Sequence, residues 1–491
     1  MKLFIHIHTL LSYPARKAIG IMLLIFWLSG CKKLVEVDAP VTSTNAGNVY
    51  TSDATAAAVL TGIYAKMSRN SFLSEGITSI SFLPALSSDE LTLYSAVTNT
   101  ALVQYYKNEL TSSDIGTIHI WNGVYPILFA SNAAIEGLNG STSLTQAVKQ
   151  QLLGEAKFIR AFCNFYLVNL YGDVPLVMGT NWQENAQLAR SPQNQVWSQI
   201  INDLKDAQEL LNAAYVESDA VTSTSITERV RPNKWAATAL LARAYLYTGD
   251  YANAETASTA VIDNATLYSL PDLSQTFLKT SGEAIWQLQP VIEGYNTVDA
   301  SVFVLPPTGP TDPNYPVYLS PFLLQAIEDS DRRKTEWVDS VVVPTQGTPM
   351  VYYYAKKYKV AVNGSPVTEY TMVLRLAEQY LIRAEAKAHQ NNPTGAKNDV
   401  NVIRTRAGLP DITANDKAAL LLAIEKERQA ELFTEWGHRW LDLKRTNRID
   451  AVLSAVAPLK GGTWQTTDRL YPIPQTDLQR NRQLTQNPGY Q

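Results

Sequence analysis

The stretch "NKWAATALLARAYLYTGDYANAETASTAVIDN", residues 233–264, restricts the fold more than any other part of the chain. Ala242 and Ala244 stand beside Tyr245, Gly249-Asp250-Tyr251 makes a turn, and Ala254 and Ala257 line the helix after the turn. Two antiparallel helices that cross closely need such small residues at helical spacing on both sides of a tight turn. Residues 376–408 repeat the arrangement more loosely, with Ala384, Ala386 and Ala388 before the turn and Ala396, Val400 and Ile403 after it. A helical hairpin of this kind cannot bury its own apolar face and has to stack on others. The pattern predicts a mostly α, tetratricopeptide-like helical-repeat scaffold.

Other segments share the helical period. Ala56, Val59, Ile63 and Met67 mark one; Trp121, Tyr125, Leu128, Asn132 and Ile135 mark a second. Leu152, Ala156, Ile159, Phe162, Tyr166 and Leu170 mark a third, which Gly172 stops and Pro175 keeps from resuming. Ser191-Pro192 reads as the cap and first-turn proline of a fourth, carrying Val196, Ile200, Leu204 and Leu211. Residues 286–366 break the pattern. Six prolines lie between Pro290 and Pro316, and "PPTGPTDPNYP" cannot be helix interior. The β-branched and aromatic runs "WVDSVVVP" and "MVYYYAKKYKV" flank "TQGTP" and read as a small β-hairpin. This is an irregular, loop-rich insertion, the kind of segment that carries function on a rigid scaffold.

At the amino terminus Lys2, Arg16 and Lys17 precede the apolar run Ala18–Leu28, too short to span a bilayer, and residues 1–30 read as a signal peptide. Leu28-Ser29-Gly30-Cys31 resembles the bacterial lipobox, which makes Cys31 the lipidated first residue of the mature chain and gives it a membrane anchor. Residues 31–47 are polar and aperiodic, a tether. Residues 48–491 form a single domain, with an N-terminal helical half over about 48–230 and a C-terminal half over about 231–491. Cys163 is the only other cysteine and sits in an apolar helix as a small hydrophobe. Removing residues 1–30 takes away three positive charges and moves the formal net charge from −4 to −7. With 46% hydrophobic and 18% charged residues the chain is a folded one, and no concentrated basic face points to nucleic acid.

"ELFTEWGHRWLDLKR", residues 431–445, has the parts of an acid–base site: Glu431, Glu435, Asp442 and His438. It also has the parts of an ion-paired helix. Leu432, Trp436, Trp440 and Leu443 make one apolar stripe, Glu435 precedes Arg439 by four, and Asp442 precedes Arg445 by three. Carboxylates paired in this way are ionised rather than poised for proton transfer, so a structural role is favoured. His438 has neither His119 nor His389 at metal-ligand spacing, and the chain has no phosphate loop, no H-E-x-x-H and no G-x-S-x-G. No cofactor or metal is expected.

"AIEKERQAELFTEWGHRWLDLKR" resembles a helical block of the SusD/RagB-like family, the outer-membrane nutrient-binding lipoproteins. "EAKFIRAFCNFYLVNLYGDVPLV", "LRLAEQYLIRAEAKAH" and "YPIPQTDLQRNRQLTQNPGY" are similar to further blocks of that family, in the same order. Trp436 stands where the family usually has a smaller residue before the glycine. The resemblance implies a lipid-anchored protein on the outer face of the outer membrane, without catalytic residues. It would capture oligosaccharides, or in some members peptides, and pass them to a SusC-like TonB-dependent transporter.

Glycan sites use aromatic platforms, because sugar rings present apolar C–H faces. The candidates come from two irregular regions: Asp89, Tyr94 and Asn99, and Trp286, Tyr295, Tyr315 and Tyr318. "DSDRRKTEW", with Asp329, Asp331, Arg332 and Arg333, reads as a solvated charged turn or as a grip on a charged sugar. Two other functions stay open on sequence alone: a glycoside hydrolase with two carboxylates distant in the chain, and a repeat scaffold that binds only proteins.

Overall fold

Alanines set how closely the helices stack. In the computed structural model the helices are α1 (Asp53–Ser68), α2 (Ile115–Gly140), α3 (Gln146–Tyr171), α4 (Gln193–Leu210), α5 (Lys234–Tyr247), α6 (Tyr251–Ile262), α7 (Leu376–His389), α8 (Pro393–Arg406) and α9 (Lys417–Leu432), with shorter helices between them. The structure describes residues 49–69, 76–113, 115–223 and 228–490. The signal-peptide, Cys31 and tether readings lie outside the described residues. From α2 to α8 each helix packs on the next, α9 closes on α7 and α8, and α1 lies against α2 and α3. Ala236, Ala239, Ala242 and Ala244 of α5, Ala254 and Ala257 of α6, and Ala384, Ala386 and Ala388 of α7 are buried at these crossings. The tetratricopeptide-like, mostly α scaffold read from the repeats is the observed one.

The helix ends follow from local chemistry. The Asn233 side chain accepts from the amides of Trp235 and Ala236 and starts α5; Asp250, Asn392 and Asp416 do the same for α6, α8 and α9. Gly172 ends α3 at φ +74°, a conformation that favours glycine. One expected cap is different. Pro192 is itself the residue before α4, and Ser191 exchanges backbone hydrogen bonds with Val174. The first-turn amide of Gln193 instead donates to the carboxylate of Asp173, at 3.0 Å.

Six strands form three two-stranded antiparallel sheets among the described residues. They pair β1 (Leu91–Leu93) with β3 (Val317–Leu319), β2 (Ala284–Leu288) with β6 (Thr371–Arg375), and β4 (Val338–Val343) with β5 (Met350–Ala355). The β2–β6 pair draws Leu288 and Thr371 together, so residues 289–370 leave the helical stack and return to it at one place. Within that excursion β4–β5 is the hairpin expected around "TQGTP", and β3 reaches back to β1 near the start of the domain.

The carboxyl-terminal segment binds the exit of α3. The Tyr471 amide donates to the Leu170 carbonyl, and Asn487 Nδ2 donates to the carbonyls of Tyr171 and Tyr471. Arg190 donates to the Tyr171 carbonyl as well. Buried backbone carbonyls at a helix end need such partners. Among the described residues no helix is long and apolar enough to cross a membrane.

Candidate functional site

The acidic residues of 431–445 are at the centre of a buried ion-pair network. Glu431 accepts from Arg375 at 2.6 Å, from Arg333 at 2.8 Å and from Arg406. Glu283 accepts from Arg375 at 2.8 Å and from Arg406. Burial alone would raise the Glu431 carboxyl; the guanidinium groups of Arg406, Arg375 and Arg333 outweigh it and hold it well below the ordinary carboxylate range. Asp442 is likewise held low, between Arg428 and Arg445. Burial and the surrounding cations push the His438 imidazole well below its usual value, so it is neutral. A carboxylate locked among guanidinium groups is a poor proton donor or acceptor near neutral pH.

Two expectations for this block need correction. The Asp442–Arg445 pair forms, but Glu435 and Arg439 do not pair. The helix ends at Leu432 and a new one, α10 (His438–Arg445), begins after a turn in which Thr434, Trp436 and Gly437 all have positive φ. The apolar stripe is therefore broken, although Leu432, Trp436, Trp440 and Leu443 are all buried. Glu435 binds Arg375 and Lys357, and Arg439 binds Asp89 with two hydrogen bonds of 2.8 and 2.7 Å. "DSDRRKTEW" is not a solvated turn throughout: Asp331 and Arg333 are buried in the network, whereas Asp329 pairs with Lys334 at the surface.

A different region gathers several of the candidate aromatic residues. Tyr94 follows β1, Tyr318 lies in β3, and the two strands face each other in register. The Tyr352 ring of β5 meets Tyr318 edge-on at 5.0 Å and Tyr94 at 6.2 Å. Tyr106 closes the group from the short helix Thr100–Lys107, whose first turn Asn99 caps by accepting from the Leu102 amide. All four rings are half-buried. Burial pushes the Tyr106 hydroxyl up to about 12, and burial followed by the Tyr352 neighbour raises that of Tyr318, so both are neutral hydrogen-bonding groups.

The loops around the tyrosines are tied to each other. Thr98 donates to Asp312 from its amide at 3.1 Å and from its hydroxyl at 2.9 Å, and the Tyr94 amide donates to the Pro316 carbonyl. Tyr315 and Thr311 exchange backbone hydrogen bonds and fold the proline-rich loop on itself. Gly309, at φ +79°, lets this loop lie on the hairpin: a Cβ there would fall 2.6 Å from Val343 Cγ2 and 3.5 Å from the Tyr352 ring. Lys460 anchors the region from below. Its ammonium donates to the carbonyls of Leu86, Ser87 and Ser88 and lies 4.8 Å from the centre of the Tyr106 ring.

Of the sequence candidates, Tyr94, Asn99, Tyr315 and Tyr318 thus fall in one region. Asp89 lies at the base of that region, just before β1, but its carboxylate is not open to a ligand, and Trp286 and Tyr295 lie elsewhere. Asp89 is buried against Arg439. Trp286 is core: it packs edge-on against Phe158 and Phe162, and its indole N–H donates to the Val230 carbonyl. Tyr295 lies beside Ser68, Pro290 and Thr371 in a separate crevice. Tyr106 and Tyr352 escaped sequence reading, although the alternation of "MVYYYA" already puts Tyr352 on the opposite face from Tyr353. Among the described residues no group of three or more His, Cys, Asp or Glu side chains is placed to hold a metal ion.

Two family profiles match this chain. One described as "Starch-binding associating with outer membrane" covers residues 43–246, and the SusD family profile covers residues 328–490. The chain belongs to the SusD family. A SusD-like protein P2 of Formosa agariphila is 26% identical to this SusD-like chain over 96% of its length and 99% of the relative's. The starch-binding protein SusD of Bacteroides thetaiotaomicron is 30% identical over a shorter stretch, 26% of this chain and 24% of that one. A solved "laminarin binding SusD-like protein" shares the fold at a TM-score of 0.73, with 23% identity over 90% of this chain and all of its own.

Proposed function

We propose that this SusD-like chain is a cell-surface lipoprotein, anchored through Cys31, that captures oligosaccharides and delivers them unaltered to a SusC-like TonB-dependent transporter. The observation that carries the reading is the group of Tyr94, Tyr106, Tyr318 and Tyr352, set among interlocked loops at one edge of a rigid helical stack. Half-buried tyrosine rings offer stacking faces and hydrogen-bonding hydroxyls together, the combination that sugar rings require. Names of relatives support a carbohydrate: one is starch-binding and another laminarin-binding. Both are named for binding rather than for turnover.

The same site favours neutral glycans. Lys460, the buried amine beside Tyr106, is engaged by three carbonyls and is not left to pair with a uronate or a sulfate. Titration with neutral glucan oligosaccharides, polyuronate fragments and peptides tests this. Saturable binding of a neutral glycan is expected, and Tyr318→Ala or Tyr352→Ala should each weaken it by about tenfold, the loss of one stacking platform worth about 1.4 kcal/mol. Binding of peptides or polyuronates in preference to neutral glycans would contradict it.

A further inference from the structure

Three large apolar side chains stand out from a mostly polar surface at one end of the helical stack. Trp182 is 73% exposed, Phe129 48% and Met178 39%. Phe129 belongs to α2. Met178 and Trp182 belong to the segment that follows α3 and is laid along that same helix. Tyr125 donates to the Pro175 carbonyl, Asn132 donates to the Val177 carbonyl at 2.8 Å, and Thr180 donates its amide to Glu136 at 2.9 Å. Residues 125, 129, 132 and 136 lie on one stripe of a helix. The hydrogen bonds therefore fix Met178 and the start of the Trp182 turn over the stripe that presents Phe129. Scattered single apolar residues need no explanation, but a pinned group with a tryptophan at its tip does.

The entry of the chain into the domain lies on the same helix. The Tyr50 hydroxyl donates to the Ala133 carbonyl, Ser141 donates to the Tyr50 carbonyl, and the Tyr50 ring occupies the space beside Gly137. Ala133 is one turn beyond Phe129, about 6 Å along the helix axis. Tyr50 is nineteen positions along the chain from Cys31. That tether reaches on the order of 60 Å when extended and does not by itself hold any face of the domain at the bilayer. A second contact with lipid close to the entry point would.

We propose that Phe129, Met178 and Trp182 form a lipid-facing patch that enters the headgroup layer beside the tether and sets the orientation of the domain on the membrane. Tryptophan is the side chain best suited to that layer, with an apolar body and one N–H for water or headgroups. The acyl chains at the end of a long tether hold the protein to the membrane without fixing which face of the domain meets it, and a second contact supplies that. The inference rests on the lipid-anchor reading, and the test separates the two.

The lipidated protein and its Trp182→Phe variant are reconstituted in vesicles of phosphatidylethanolamine and phosphatidylglycerol, with and without brominated acyl chains. The emission difference between the two proteins isolates Trp182. Most of that difference should be lost in brominated vesicles, and iodide in the aqueous phase should have little effect on it. Strong quenching by iodide with none by bromine would overturn the patch while leaving the anchor intact. Protection from both quenchers only when a transporter is present would also overturn it, assigning the patch to a protein partner. Failure of the anchor reads out elsewhere, as a Cys31→Ser variant that still floats with the vesicles. A Phe129→Ser/Trp182→Ser variant should float as the wild type does but become more accessible to protease at its α2 face.

Discussion

At the scale of single residues, charged side chains reach far along the chain for partners. Glu431 binds Arg333, Arg375 and Arg406, which lie 98, 56 and 25 positions away. Removing its charge takes a shared carboxylate from three buried guanidinium groups, so Glu431→Gln should cost about 3–5 kcal/mol in a denaturant melt. Trp440 is fully buried and packs against Tyr471 at 5.7 Å and Trp464 at 6.0 Å. Trp440→Ala should cost about 3–5 kcal/mol, as large aromatic truncations in cores do, and the protein that remains folded should bind glycan as before. A normal melt with lost binding would return residues 431–445 to the ligand site. Sequence reasoning found the structural role of this block but paired Glu435 with Arg439. Spacing along a helix is a sound guide only while the helix continues, and Thr434, Trp436 and Gly437 turn the chain between the two. Asp89 and Trp286 misled for a related reason, since the Arg439 and Phe158 that bury them are remote in sequence.

At the scale of elements, the helices were legible because what makes them is local. Alanines at crossings, asparagine and aspartate caps, and Gly172 act within a turn or two of their own positions. The β4–β5 hairpin was legible for the same reason. The β1–β3 pair, which brings Tyr94 to Tyr318, joins residues more than two hundred positions apart and has no local signal. The turn before α10 is an element with its own requirements. A Cβ at Gly437, at φ +69°, would fall 3.0 Å from Pro84 Cβ and 3.2 Å from the Ile80 carbonyl oxygen. Gly437→Ala should therefore cost about 1–3 kcal/mol, measured by thermal unfolding.

Near this turn lie two buried acids of the opposite kind to Glu431. Burial, with the Asp89 charge, outweighs Arg439 and Lys357 and raises Glu90 to about 8. Burial and Glu435 raise Asp299 to about 7, against a hydrogen bond from Ser81. Both are protonated in the fold below those values. Their favourable state is fully present below the ordinary carboxylate range and is lost as pH rises through the folded values. Glu431, Glu435 and Asp442, held low, act the other way: their contribution is present above the ordinary range and is lost as pH falls below it. Glu90→Gln and Asp299→Asn should each flatten the decline in melting temperature between ~pH 5 and ~pH 9, and leave the acid limb unchanged.

At the scale of the whole molecule, a stack of α-hairpins holds loops whose chemistry is separate from the stack's own. The long-range blocks "YGDVPLV" and "QNPGY" meet through Asn487 and the Tyr171 carbonyl, so their presence together in one chain has a structural cause. Cys31→Ser should move the protein from the membrane fraction to the soluble fraction; retention on membranes washed with high salt would count against the lipid anchor. Capture without turnover is decided by calorimetric titration of the purified protein with a neutral glucan oligosaccharide, the reducing ends in the cell being counted afterwards. Saturable binding with no new reducing ends is expected, weakened about tenfold by Tyr352→Ala at an unchanged melting temperature. New reducing ends, or binding that the Tyr352→Ala variant leaves intact, would contradict it.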